Sequence, residues 1–166
     1  MEVTAIIALL AGLLLANPAL AGPARLQSLT DLGGGPTLAK GKVILNDGGP
    51  GPLQITVVVV GGPPDTALQV QCEGFKVGGG FAHYQVCTFT TDAGGSGGCH
   101  FNNDVGGAAA IGAPAEPLGP GGTITPGTYG PAFVVVCPFS VPPADAPDIF
   151  VSVWGAPGTL AAIVVP

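Results

Sequence analysis

Positive charge is nearly missing from this sequence. Lys and Arg together number 4 in 166 residues, and none follows Lys76. Nucleic-acid binding depends on such side chains neutralising phosphates, so that class of partner is excluded. Histidine occurs twice, as His83 and His100, and the one methionine is Met1. A blue-copper site needs two His, a Cys and usually an axial Met, a set this chain does not offer once Met1 is removed. There is no C-x-x-C pair, which removes zinc-ribbon and thioredoxin chemistry. There is no G-x-S-x-G elbow, and Gly78-Gly79-Gly80 neither opens a helix nor carries a phosphate-binding lysine. The expectation is a protein that is not an enzyme and holds no cofactor or metal.

What is abundant is glycine and proline, 29 and 18 residues, beside 47% hydrophobic residues. Disorder needs low hydrophobicity, so the two facts combine only if short apolar strands alternate with Gly/Pro turns. Charged residues make up 8% of the chain and the formal net charge is −6.

Val3–Leu15 is uncharged and apolar. A helix of that length rises ~20 Å, too short for a ~30 Å bilayer core, and suits the middle of a secretory signal. Asn17-Pro18 breaks it, and Ala19-Leu20-Ala21 supplies the small residues of a cleavage site. Residues 1–21 are therefore expected to be a signal peptide, although its leader carries Glu2 in place of Lys or Arg. The protein is then secreted or at the cell surface, with no stable membrane span after cleavage. Residues 22–41 read as an extended lead segment, interrupted by Gly33-Gly34-Gly35-Pro36, and residues 42–166 as the folded domain.

That domain reads as all-β. Leu53–Val60 is dense in β-branched residues, and Ala67–Phe75 alternates with period two: Leu68, Val70 and Cys72 on one face, Gln69, Gln71 and Glu73 on the other. Further strands are expected at Lys42–Asn46, Phe81–Thr91, Thr123–Thr128 and Ala132–Cys137. A closing hairpin is expected from Asp148–Trp154 and Thr159–Val165. Seven to eight strands with regular turn signals and no helix suggest an antiparallel β-sandwich.

Cys72, Cys87, Cys99 and Cys137 make an even count in an exported chain, so disulfides are expected among them. Three connectivities exist. Cys72–Cys87 with Cys99–Cys137 is preferred, because residues 72 and 87 fall at facing positions of an antiparallel pair.

Within Gly61–Gly98, the runs VVVVGGPPDTALQVQC and CTFTTDAGGSGG resemble bacterial secreted immunoglobulin-like β-sandwich domains. The shared parts are a β-branched strand, a Pro-Pro-x-Thr turn and a Thr-Asp-Ala-Gly turn. A more distant likeness is to neocarzinostatin-type sandwiches. The spacing for their short-range second disulfide is missing, so their chromophore pocket is not carried over. The resemblance implies an immunoglobulin-like sandwich and export, and assigns no function.

Other candidate sites have plainer readings. Asn102, Asn103 and Asp104 are rich in oxygen but match the turn habit of Asn and Asp better than a calcium loop. Asp145 and Asp148 resemble a glycosidase pair only by spacing, and sit in a proline-rich connection. His83 lies on an alternating strand, facing solvent. Trp154, Tyr129, Tyr84 and Phe101 could form a sugar-binding platform, with Trp154 and Tyr129 the chosen contacts. The leading expectation is a structural or adhesive protein that self-associates by β-strand addition. The open edge would be Thr159–Val165, which has no internal Lys or Pro, or the donor would be the lead segment. The alternative is an extracellular carbohydrate- or small-ligand-binding module.

Overall fold

A computed structural model describes residues 24–31, 40–47, 49–146, 149–154 and 162–166. The expected signal peptide, half of the expected lead (residues 22–23 and 32–39) and the turn around residues 155–158 lie outside the described residues. Among the described residues there are ten strands: β1 Arg25–Asp31, β2 Lys40–Asn46, β3 Gln54–Val60, β4 Ala67–Lys76, β5 Phe81–Thr90, β6 Gly97–Asn102, β7 Ala109–Ala110, β8 Gly127–Pro138, β9 Phe150–Trp154 and β10 Ile163–Val165. The one helical element described is a single 3-10 turn at Pro120–Gly122. All pairings are antiparallel, in the order β6-β3-β2-β1-β9-β8-β4-β5-β7, with β10 added beside β8.

Period-two patterning builds the inner face. Ile55, Val57 and Val59 of β3 are fully buried, and so are Val43 and Leu45 of β2. They meet Leu68 and Val70 of β4, Tyr84 of β5, Val134 and Val136 of β8 and Phe150 of β9 in one cluster. Each such side chain stabilises the fold by ~1.5–3 kcal/mol through the apolar area it removes from water.

The strand count and three further expectations change here. Arg25–Asp31 is not a separate lead but a strand inside the sheet. Its first part pairs β2 and its last two residues, Thr30 and Asp31, pair β9, so it passes from one half of the sheet to the other. Thr123–Thr128 is not a strand; β8 begins at Gly127 and runs to Pro138. The C-terminal strands do not form a hairpin. β8 is long enough to take β9 along Ala132–Val136 and β10 along Gly127–Tyr129, both antiparallel to it and on the side away from β4.

The sheet curls until its ends meet. β5 lies next to last in the order and β6 lies first, and Cys87 of β5 is bonded to Cys99 of β6 with a Cα–Cα distance of 6.1 Å. This replaces the expected pairing of Cys72 with Cys87 and of Cys99 with Cys137. The β4–β5 register sets Cys87 opposite Val70, and beyond a shift between Val70 and Gln71 it is Tyr84 that faces Cys72. Cys72 and Cys137 are buried thiols. Cys72 belongs to the inner cluster, whereas Cys137 alternates with Val134 and Val136 onto the outer face, so the sheet itself separates them.

Candidate interaction faces

The two turns that carry the family resemblance meet at one end of the sheet. Thr91 is buried, and its hydroxyl donates to Pro63 O at 2.5 Å and accepts from Thr66 N at 2.9 Å. Backbone bonds join Asp65 N to Asp92 O at 3.1 Å and Gly62 N to Gly95 O at 2.9 Å. Asp92 Oδ1 accepts from Gly94 N and Ser96 N, both at 2.8 Å. Gly95 has φ +74°, and a Cβ there would lie 2.1 Å from Gly62 O, so the close approach needs glycine. These polar groups hold one turn to the other; the motif is architecture.

The outer face of β1-β2-β3-β6 is open and aliphatic. Leu26, Ile44, Thr56 and His100 are register neighbours across the four strands, and Ser28, Lys42, Val58 and Gly98 form the next row. Leu26 is 54% exposed, Ile44 37%, Val58 43% and Val60 50%. Lys40 and Lys42 stand among them; neither is in an ion pair among the described residues, whereas Arg25 pairs with Asp47 and Lys76 with Glu116. His100 Nδ1 is 2.9 Å from Thr56 Oγ1 on this face.

The outer face of β5-β4-β8 is covered. Residues 139–146 run across it as a proline-rich strap. Ala144 O accepts from both Gln69 Nε2 and Gln71 Nε2 at 3.0 Å. Gln71 Nε2 is thereby engaged, so its oxygen meets His83 Nε2 at 3.0 Å and His83 is the donor. Gln85 Nε2 donates to Gln69 Oε1. Gln69, Gln71 and His83 are all buried. The expected solvent exposure of His83 is therefore corrected: the strap covers the face it shares with Gln69 and Gln71. Beyond its edge, the exposed Phe75 packs on Phe81 with ring centroids 5.3 Å apart, and Phe81 lies 5.9 Å from His83.

The remaining expected site residues scatter. Tyr129 is buried, and its hydroxyl donates to Thr125 O at 2.8 Å. Tyr84 and Phe101 are in the core, and burial, with smaller contributions from Tyr129 and Glu116, pushes the Tyr84 phenol up to about 12. A platform of Tyr129, Tyr84 and Phe101 is therefore not formed, and the side chain of Trp154 lies outside the described residues. Asn103 joins two loops, taking Ile124 N at 2.6 Å and giving to Ile124 O at 3.0 Å, while Asn102 Oδ1 accepts from Asp104 N at 3.0 Å. Asp145 is exposed and Asp148 lies outside the described residues. Burial, then Glu73, pushes the Cys72 thiol up to about 12, which keeps it protonated and a poor nucleophile.

Of the C-terminal edge expected to accept another strand, the structure describes residues 162–166: there Asp47, buried and ion-paired with Arg25, accepts from Val164 N at 2.9 Å, and Arg25 Nη2 donates to Ala162 O at 3.0 Å. Sequence reasoning missed the aliphatic face, the strap and the Phe75–Phe81 pair. Exposed Val and Ile carry no sequence mark, whereas the prolines between 138 and 147 did mark an irregular crossing segment.

The fold class is thus an antiparallel, all-β curled sheet closed by one disulfide. No helix among the described residues is long and apolar enough to cross a membrane. No protein-family model, curated protein or solved structure matches the chain.

Proposed function

We propose that this chain is a non-catalytic extracellular structural or adhesive protein, an immunoglobulin-like sandwich that self-associates through the outer face of β1-β2-β3. The observation that carries the reading is the exposed set Leu26, Ile44, Val58 and Val60 flanked by Lys40 and Lys42. Contiguous aliphatic surface rimmed by charge is typical of association sites. The charge also favours a direction of assembly. The chain carries a net −6, so a face bearing two of its 4 cations is complementary to other surfaces of the next copy rather than to itself. Such a heterologous contact propagates into filaments or layers. The sandwich reading is supported by Tyr129, whose bond to the backbone four residues upstream has the form of a tyrosine corner, and by the docked turn pair. Export is supported by the signal-like residues 1–21 and by a disulfide, which persists in oxidising compartments. Light scattering and electron microscopy of the mature protein test the reading: assembly should rise with concentration and disappear in Ile44→Glu. A monomer at every concentration overturns it.

One observation favours a second reading, glycan binding. The exposed Phe75, packed with its ring tilted against Phe81, is an aromatic surface beside polar groups. A glycan array with no signal, or binding unchanged in Phe75→Ala, removes it.

A further inference from the structure

The strap over β4 is polar beneath and apolar above. On its underside Ala144 O accepts from Gln69 and Gln71, and Phe139 N donates to Ala67 O at 3.1 Å. Ala144 N donates to Ser140 Oγ at 2.9 Å, which fixes the segment on itself. Its upper side presents Phe139 and Val141, the latter 81% exposed, with Pro142 and Asp145 also in solvent. Large apolar groups held outward on a fixed segment mark a surface that meets another. A segment already held from below loses little conformational freedom when it docks. The aliphatic face of β1-β2-β3 offers the matching recess. Ile44, Val58 and Val60 line an open groove of about 510 Å³, with Lys40 and Lys42 exposed on it.

We infer that the strap of one copy docks in this groove on the next, with Val141 and Pro142 against Ile44, Val58 and Val60 and with Asp145 against Lys40 and Lys42. The inference rests on the association proposed for the aliphatic face and names the surface that this face meets. Charge selects that surface. Asp145, Lys40 and Lys42 are exposed, and none is in an ion pair among the described residues. Two grooves placed against each other would instead bring lysines against lysines. Other exposed apolar side chains fit less well. Phe75 and Val77 flank the cation Lys76, and Val105, beside Asp104, is a single side chain following β6, in the groove's own half of the sheet.

The placement of the two surfaces sets the form of the assembly. The inner faces of β2 and β3 share one buried cluster with those of β4 and β8, so groove and strap point away from each other. A copy cannot fill its own groove, and each contact leaves one groove and one strap free at the ends. Opposed contact surfaces add copies along a line through the core, which gives a filament with two different ends.

The test combines sedimentation of the natively produced chain with carbodiimide cross-linking and peptide mapping. Asp145 and Lys42 lie on opposite outer faces, so a peptide joining them forms only between copies. The wild type should assemble and yield Asp145 joined to Lys40 or Lys42. Val141→Ser with Asp145→Asn alters two exposed positions; the unfolding midpoint should stay, and the concentration at which assembly begins should rise about tenfold or more. Ile44→Glu spoils the groove and spares the strap. Mixed equally, at a concentration where each alone is monomeric, the two variants share one intact groove and one intact strap, and should form dimers and nothing larger. A wild type that stays monomeric overturns this inference and the association reading together. Three results overturn this inference alone: assembly that the strap variant leaves unchanged, an equal mixture that stays monomeric, or assembled wild type without the cross-linked peptide. The last decides even if a variant fails to fold.

Discussion

The two outward faces of the sheet invert each other. On β3 and β2 the outward positions hold Val58, Val60 and Ile44, aliphatic and in solvent. On β4 the outward positions hold Gln69 and Gln71, polar and fully buried. Both strands alternate with period two, and both inner faces are apolar. The outer surroundings differ because one face is crossed by residues 139–146 and the other is not. Burying a carboxamide costs free energy unless its hydrogen bonds are replaced, and the strap replaces them through one carbonyl, Ala144 O. A polar outward residue therefore marks the side of the sheet without marking contact with water.

One large expected effect breaks the covered face. Gln71→Leu removes the acceptor of His83 Nε2 and one of the two donors to Ala144 O, which keeps Gln69 Nε2. With two hydrogen bonds lost beneath the strap, stability should fall by ~1–3 kcal/mol in guanidinium unfolding. A loss below ~0.5 kcal/mol would mean that water replaces the carboxamide and that the two faces are alike. Next is the seam that joins the halves of the sheet. Cys87 and Cys99 are 12 apart in sequence, and a closed loop of that size constrains the unfolded chain by ~3 kcal/mol. Cys99→Ala should lower stability by about that amount, while Cys72→Ala should leave the disulfide intact on a non-reducing peptide map.

A smaller effect lies at the far end of the covered face. Glu116 Oε1 accepts from Gly80 N at 2.6 Å and Glu116 Oε2 pairs with Lys76 at 3.3 Å, so its carboxyl is held below its ordinary value of 4.5, the Gly80 amide first and Lys76 after it, against partial desolvation. The unfolded state binds the proton more tightly. The stability contributed is complete above pH ~4.5 and is lost as pH falls through the lower folded value. Glu116→Gln should flatten that part of the stability–pH curve. An unchanged slope would show that the loop at residue 116 does not contribute to the fold.

Much of the sheet could be read from the residues, and the misses have physical reasons. The β-branched run at Leu53–Val60 and the alternation at Ala67–Phe75 place β3 and β4 because local packing preference and burial agree there. β1 was missed because Arg25, Gln27 and Ser28 look like polar lead, yet Arg25 is held by Asp47 and Gln27 Oε1 accepts from Ser152 Oγ, partners far along the chain. The cysteine pairing depended on register, and the β4–β5 register sets Cys87 opposite Val70, two positions from Cys72. The site residues were the least legible. Exposure of Val58 and burial of His83 are set by what lies above a strand, which its own periodicity does not encode.

The smallest expected effect on stability is the sharpest test of the open face. Val57 and Val58 are neighbours on β3, the first fully buried and the second 43% exposed. Threonine has nearly the shape of valine and keeps its strand preference, so Val→Thr changes little besides one hydroxyl. At Val57 that hydroxyl enters an apolar cluster and should cost ~1–3 kcal/mol. At Val58 it enters solvent and should change unfolding free energy by less than ~0.5 kcal/mol. If the face binds another copy, Val58→Thr should nonetheless weaken association, because the hydroxyl would be desolvated only in the assembly. A Val58→Thr protein of native stability that assembles at the wild-type concentration would therefore clear this face of the role proposed for it. One of native stability with a higher assembly threshold would separate folding from association on adjacent residues of one strand.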